Sequence, residues 1–217
     1  MLPDLPVSAR VSAYMDRDCV YSFSEWTAKE TAVAAALKQF RPASVLDAGC
    51  NTGHFSLLAA QSATVVAIDR DPGPVGALWK SARAAELPIL PLVVDLARPP
   101  GACGWANSEC PSFLDRARGR FDCVLMLALM HHLVVNERVS LDRIFDLAAQ
   151  LTRRLLLIEY VDPSDSQFRK IARGRDALHR DLTPTAFESA ARERFEILDC
   201  RSLTPTRALY ALELKGN

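Results

Sequence analysis

The sequence has no excess of either charge, no Cys-x-x-Cys pair and no long apolar run, and each shortage removes a class of protein. Lys plus Arg and Asp plus Glu both number 26, so nothing draws the chain as a whole toward nucleic acid or an anionic membrane, although a local basic patch stays open to it. The six cysteines, Cys19, Cys50, Cys103, Cys110, Cys123 and Cys200, lack the close pairing that structural zinc or an iron–sulfur cluster requires. Radical chemistry, which depends on such a cluster, goes with them. No stretch approaches the roughly 20 apolar residues that cross a bilayer, and Met1-Leu2-Pro3-Asp4 lacks the basic-then-apolar layout of a signal peptide. The expectation is a cytoplasmic protein with reduced thiols, no metal and no membrane partner. There is no internal repeat, low-complexity tract or shift in composition, so residues 1–217 are expected to form one domain.

What is present is alternation between helical and strand periodicity. Ser22-Phe23-Ser24-Glu25 has capping-box spacing, and Val33, Ala36, Leu37 and Phe40 recur at helical intervals, predicting a helix over about residues 23–39 that Pro42 stops. A short strand at residues 44–48 leads into Gly49. Phe55, Leu58 and Ala59 then repeat as a helix, and residues 64–68 form a β-branched strand ending in Asp69. Val75, Leu78, Trp79 and Ala82 share one helical face behind Pro74, before a strand at residues 89–94 that ends in Asp95. Pro91 cannot donate to a ladder, which assigns that strand to a sheet edge. Residues 96–120, broken by Pro99-Pro100-Gly101, Gly104 and Pro111, read as a long connection with one short helix near residues 112–118. Further strands follow at residues 121–127, 154–160, 195–200 and 207–214. The helices among them are marked by Leu141, Ile144, Phe145, Ala148 and Leu151 and by the Thr183-Pro184 start. Strands alternating with helices predict a doubly wound α/β sheet, covered on both faces.

In such sheets a ligand binds beyond the carboxyl ends of the strands, where strand order reverses, and glycines in the first β–α turn let backbone approach it. Gly49 and Gly53 stand at that turn, although a glycine pair can also do no more than close a tight loop. Asp47, Asp69 and Asp95 place an acid at three successive strand ends, and an acid about 20 residues past the turn suits ribose hydroxyls. A dinucleotide would want Gly-x-Gly-x-x-Gly. Here Asp47 occupies the first glycine position, where a carboxylate repels pyrophosphate but suits a ligand with ammonium and sulfonium charge.

Val45-Leu46-Asp47-Ala48-Gly49-Cys50-Asn51-Thr52-Gly53 resembles the first motif of class I S-adenosylmethionine-dependent methyltransferases, and Val65-Val66-Ala67-Ile68-Asp69 resembles their second. The resemblance covers about residues 21–214. It implies a seven-stranded, mostly parallel sheet of order 3-2-1-4-5-7-6 with one antiparallel strand, and S-adenosylmethionine as cofactor. It further implies that Asp47, Gly49, Cys50, Asn51 and Gly53 hold the methionine portion, with His54 and Phe55 lining the turn. Asp69, with Arg70 beside it, would accept from the ribose, and Asp95 with Leu96 would contact adenine. Residues 159–163, Phe168-Arg169-Lys170 and residues 183–187 are similar to a little-characterised bacterial subgroup, which brings no substrate with it.

Methyl transfer displaces an already activated carbon, so the protein supplies placement, and a base only where the acceptor must lose a proton. His131 and His132 after the fourth strand are candidate bases, against a plain reading in which one caps a loop and the other packs. Glu159 is the next candidate, against a reading as the buried partner of a nearby Arg. Arg169, Lys170, Arg173 and Arg175, with His179 and Arg180 behind, are able to grip a phosphate or carboxylate of the acceptor or to form a solvated helix face. Tyr21, Trp26 and Lys29 belong to an N-terminal segment, residues 1–42, able to close as a lid or simply to pack. The reading is methyl transfer to oxygen or nitrogen of a small-molecule acceptor, by a monomer or homodimer. An RNA methyltransferase and a non-catalytic cofactor sensor are the alternatives.

Overall fold

The computed structural model describes residues 23–216, so Ser22 of the expected capping box, Tyr21 and Cys19 lie outside the described residues. The first helix, α1 (Phe23–Phe40), is followed by β1 (Ser44–Ala48), α2 (His54–Ala59), β2 (Thr64–Asp69), α3 (Pro72–Ala84) and β3 (Ile89–Val93). After a long connection come α4 (Phe113–Ala117), β4 (Phe121–Met126), α5 (Met130–Val135), α6 (Leu141–Leu151) and β5 (Thr152–Val161). The rest is α7 (Ser166–Ala172), α8 (Pro184–Arg192), β6 (Phe195–Thr204) and β7 (Arg207–Leu214). The seven strands form one sheet of order β3-β2-β1-β4-β5-β7-β6, the order the resemblance implies. β1, β2, β3, β4 and β5 run parallel, and β7 lies antiparallel between β5 and β6.

Side-chain alternation along the central strands feeds two cores. Leu46, Ile68, Val124, Met126, Leu156 and Ile158 pack against Phe145 of α6 and Phe187 of α8 on one face. Val45, Val65, Leu125, Leu155 and Leu157 pack against Val33 and Leu37 of α1, Phe55 of α2 and Leu78 of α3 on the other. Each face is therefore dry, as a parallel sheet requires. Pro91 is in the edge strand β3, as its missing N–H demands.

Two local expectations change. Helix α3 begins two residues before Pro74, because Asp71 caps it by accepting from Gly73 N at 2.9 Å and Pro72 takes the first position. Trp79 stays half-exposed on its flank, with Arg83 5.4 Å from the ring centroid, while Val75, Leu78 and Ala82 face the sheet. Residues 130–135, which the periodicity assigned to no element, form α5. Among the described residues no helix is long and apolar enough to cross a membrane.

Candidate active site

The chain leaves β1 and β4 toward opposite faces, so a crevice opens beyond their carboxyl ends. The turn after β1 is built there. Gly49 (φ +78) and Cys50 both donate from N–H to Ile68 O, at 2.8 and 3.0 Å. A Cβ on Gly49 would stand 3.3 Å from Leu129 Cδ1, so turn and post-β4 segment meet where little more than backbone fits. Asn51 takes a left-handed position (φ +49), which its short polar side chain tolerates. Its Oδ1 accepts from Thr52 N at 2.7 Å, and its own N–H donates to Asp69 Oδ2 at 2.9 Å. Gly53 (φ +85) is bare for a different reason: a Cβ would lie 2.3 Å from Leu78 Cδ1, so α3 fills that space.

Asp47, on the α1-facing side of β1, is 2 % exposed and accepts from Ser56 Oγ at 2.6 Å. Burial pushes its carboxyl up to about 6, against the opposing effects of the Ser56 bond and of Lys29. A buried carboxylate with so little compensation favours a cationic ligand group beside it. Asp69 at the end of β2 also accepts from Asp71 N at 2.9 Å, and its carboxylate retains acceptor capacity. Asp95 accepts from Ala97 N at 2.9 Å and from Arg98 Nη1 at 3.0 Å. Arg98 also bonds to Glu137, and Arg70 Nη1 stands 3.6 Å from the same carboxylate, so Arg70 reaches across the edge toward the segment after α5. Leu96 is a core residue. The Cys50 thiol is buried, and that burial, with Asp47 and Asp69 near it, pushes its pKa above the ordinary range. His54 Nε2 lies 3.6 Å from Glu30 Oε2, and the Phe55 ring centroid is 5.2 Å from Lys29 Nζ.

Beyond β5 the arrangement is different in kind. Glu159 is completely buried; Lys29 Nζ of α1 meets its Oε2 at 2.5 Å and Arg207 Nη1 of β7 meets its Oε1 at 3.2 Å. Arg207 then forks onto Asp165, with Nε and Nη2 each 2.8 Å from a carboxylate oxygen. Among the described residues the ladder Lys29–Glu159–Arg207–Asp165 pairs two cations with two anions. Arg207 holds the Asp165 carboxyl down at about 2. Each Glu159 oxygen thus stands in an ion pair, an arrangement that favours the buried partner of an Arg over a free base. The sequence reading missed Arg207 and Asp165. Their only signal was a charge opening the apolar run of β7 and an Asp capping α7.

His131 and His132 lie on α5, rings 4.5 Å apart. His131 is 2 % exposed and its Nδ1 has no hydrogen-bond partner among the described residues. Burial, with His132 beside it, lowers its pKa to about 3, so it is neutral and a weak proton acceptor near neutrality. His132 is less buried. Its pKa is lowered by burial and by Arg70, while Asp69 opposes. The cations of α7 and after it, Arg169, Lys170, Arg173, Arg175 and Arg180, are exposed. Arg169 and Arg180 join Asp162, Pro163, Ser164, Leu182 and Thr183 around a cleft of about 400 Å³ immediately beyond β5.

A sheet of this order, with a glycine turn at its reversal point and acids along β1, β2 and the end of β3, is the class I methyltransferase fold that the sequence resemblance implies. The chain belongs to the methyltransferase-domain family, whose model it matches over residues 22–201. It is 30% identical over 197 residues to nodulation protein NoeA of Rhizobium meliloti (strain 1021), an alignment covering 89% of this chain and 40% of that protein. The chain therefore spans 40% of the length of that relative. Among solved structures it is similar in fold to the N-methyltransferase NodS of Bradyrhizobium japonicum WM9 (TM-score 0.63, 12% identity, 90% of this chain and 99% of that one). It is also similar to magnesium protoporphyrin IX methyltransferase (ChlM) of Synechocystis PCC 6803 with bound S-adenosylhomocysteine (TM-score 0.62, 16% identity, 96% and 94%).

Proposed function

We propose that the chain passes the methyl group of S-adenosylmethionine to an oxygen or nitrogen of a small, anionic acceptor. Asp47 carries the cofactor part of this reading: its buried, under-compensated carboxylate fits a sulfonium and ammonium group and does not fit pyrophosphate. In this assignment the 49–53 turn and Asp47 hold the methionine portion, Asp69 accepts from the ribose, and Asp95 lies toward adenine. The bound cofactor supplies a methyl group on an electrophilic sulfonium. The chain supplies alignment, and it excludes water with α1 and α5.

The acceptor part rests on the cleft beyond β5. Its volume of about 400 Å³ suits a small molecule, and Arg169 and Arg180 offer forks for a carboxylate or phosphate. His132, less buried than His131, is the imidazole assigned to orient the acceptor or take its proton. Neither histidine is charged near neutrality.

Calorimetry with S-adenosylhomocysteine tests the cofactor assignment: the parent binds, Asp69→Ala binds at least about tenfold more weakly, and absence of binding by the parent removes the reading. Labelled methyl transfer to a panel of small carboxylates and phosphates tests the acceptor. Arg169→Ala and Arg180→Ala should then raise KM and leave kcat unchanged. The exposed cations from Arg169 to Arg180 favour the second reading, RNA methylation. That reading requires binding to single-stranded RNA that falls steeply with salt.

A further inference from the structure

The connection from β3 to α4 contains an excursion that methyl transfer does not explain. Cys103 and Cys110 face each other in an isolated antiparallel bridge and exchange both backbone bonds, Cys103 N to Cys110 O at 2.9 Å and the reverse at 3.1 Å. The six residues between them are bent to make this possible. Gly104 sits at φ +86, where a Cβ would strike Glu109 at 2.3 Å, and Ala106 and Asn107 both take left-handed positions. Trp105, at the tip, is 83 % exposed. Both cysteines are free thiols, Cys103 exposed and Cys110 partly so.

We propose that Cys103 and Cys110 are a reversible disulfide site. Paired residues that exchange both backbone bonds have Cα atoms about 5.5 Å apart, within the roughly 4.4–6.8 Å spanned by disulfides. Their Cβ atoms are about 5 Å apart in such a pair and must close to about 4 Å. The bond therefore forms with some strain and is readily reduced, the behaviour of labile rather than structural disulfides. The oxidant is a small-molecule disulfide of the glutathione class. The exposed Cys103 thiolate attacks it, forming a mixed disulfide and expelling one thiolate. Cys110 then displaces the second, so the protein loses two hydrogens and two small thiols are released. Closure locks residues 103–110, the tip of an excursion whose base Phe113 N, bonded to Pro100 O at 3.0 Å, already fastens.

The test is oxidised glutathione on the full chain carrying Cys19→Ser, followed by alkylation and peptide mapping. Cys200, exposed on β6, serves as the unpaired control. The expected result is joint loss of Cys103 and Cys110 from the alkylated pool, a cross-linked fragment joining them, and recovery of both with a dithiol reductant. Cys200 instead carries glutathione. In Cys110→Ser, Cys103 should also retain glutathione. The proposal is overturned if Cys103 and Cys110 behave as Cys200 does, each glutathionylated or each still alkylated. Neither outcome bears on cofactor binding, which calorimetry reads separately.

Discussion

The two halves of the sheet's carboxyl edge hold their acids in opposite ways. Along β1 and β2, Asp47 and Asp69 are met by a hydroxyl and by backbone N–H groups, neutral donors that leave negative charge standing. Along β5 and β7, Glu159 and Asp165 are met by the cations Lys29 and Arg207, so each acid faces opposite charge. Burial consequently raises the Asp47 pKa to about 6, while Arg207 lowers that of Asp165 to about 2. Among the described residues the first half holds negative charge without a salt-bridge partner at Asp47, and the second joins α1, β5, β7 and α7 through ion pairs.

The largest effect is expected where the joint is opened. Arg207→Met leaves Glu159 and Asp165 short of a partner and should cost about 3–5 kcal/mol in denaturant unfolding; a loss under about 1 kcal/mol would show that water or a shifted Lys29 takes over. The glycines sharpen the contrast within the first half. Gly53→Ala drives a methyl into Leu78 at positive φ and should destabilise by about 1–3 kcal/mol. Gly49→Ala, with Leu129 at 3.3 Å, should cost less stability than that and more affinity for S-adenosylhomocysteine.

Asp47→Asn should do the reverse of most site substitutions. The folded-state pKa of Asp47 lies above its ordinary 3.8, so its ionisation opposes folding, and stability should rise as pH falls from about 6 toward 4. Removing the charge should stabilise the ligand-free protein at pH 7, by on the order of 2 kcal/mol, while weakening S-adenosylhomocysteine binding. Equal loss of both would contradict this account of Asp47. Asp165 has the opposite sign: its contribution is complete above about 4 and is lost as pH falls toward 2. Arg98→Ala, at an exposed ion pair, should leave the unfolding midpoint unchanged within error.

The first half was largely legible in the sequence because its signals are local. A glycine turn, an acid ending each of two strands and a proline in an edge strand all lie within about 50 residues. The ladder was not, since Lys29, Glu159 and Arg207 come from three distant elements and only Glu159, inside the apolar run of β5, announced a buried charge. Helix α5 was missed for a related reason. It spans six residues, has no side-chain cap, and begins after Leu129 rather than after a capping residue. Its geometry also changed the standing of the histidines, since burial on a helix lowers both pKa values and takes His131 far below neutrality.

The antiparallel insertion of β7 carries a consequence for the order of assembly. β7 follows β6 in sequence yet lies inside the sheet, and it delivers Arg207 to a level opposite Val161 at the end of β5. During synthesis β5 must therefore wait with an open edge, and Glu159 without Arg207, until residues 207–214 have emerged. Pairing so distant in sequence is slow to form. A chain cut just before Arg207 would retain both glycines and all three site acids, yet should remain an incompletely closed, aggregation-prone intermediate.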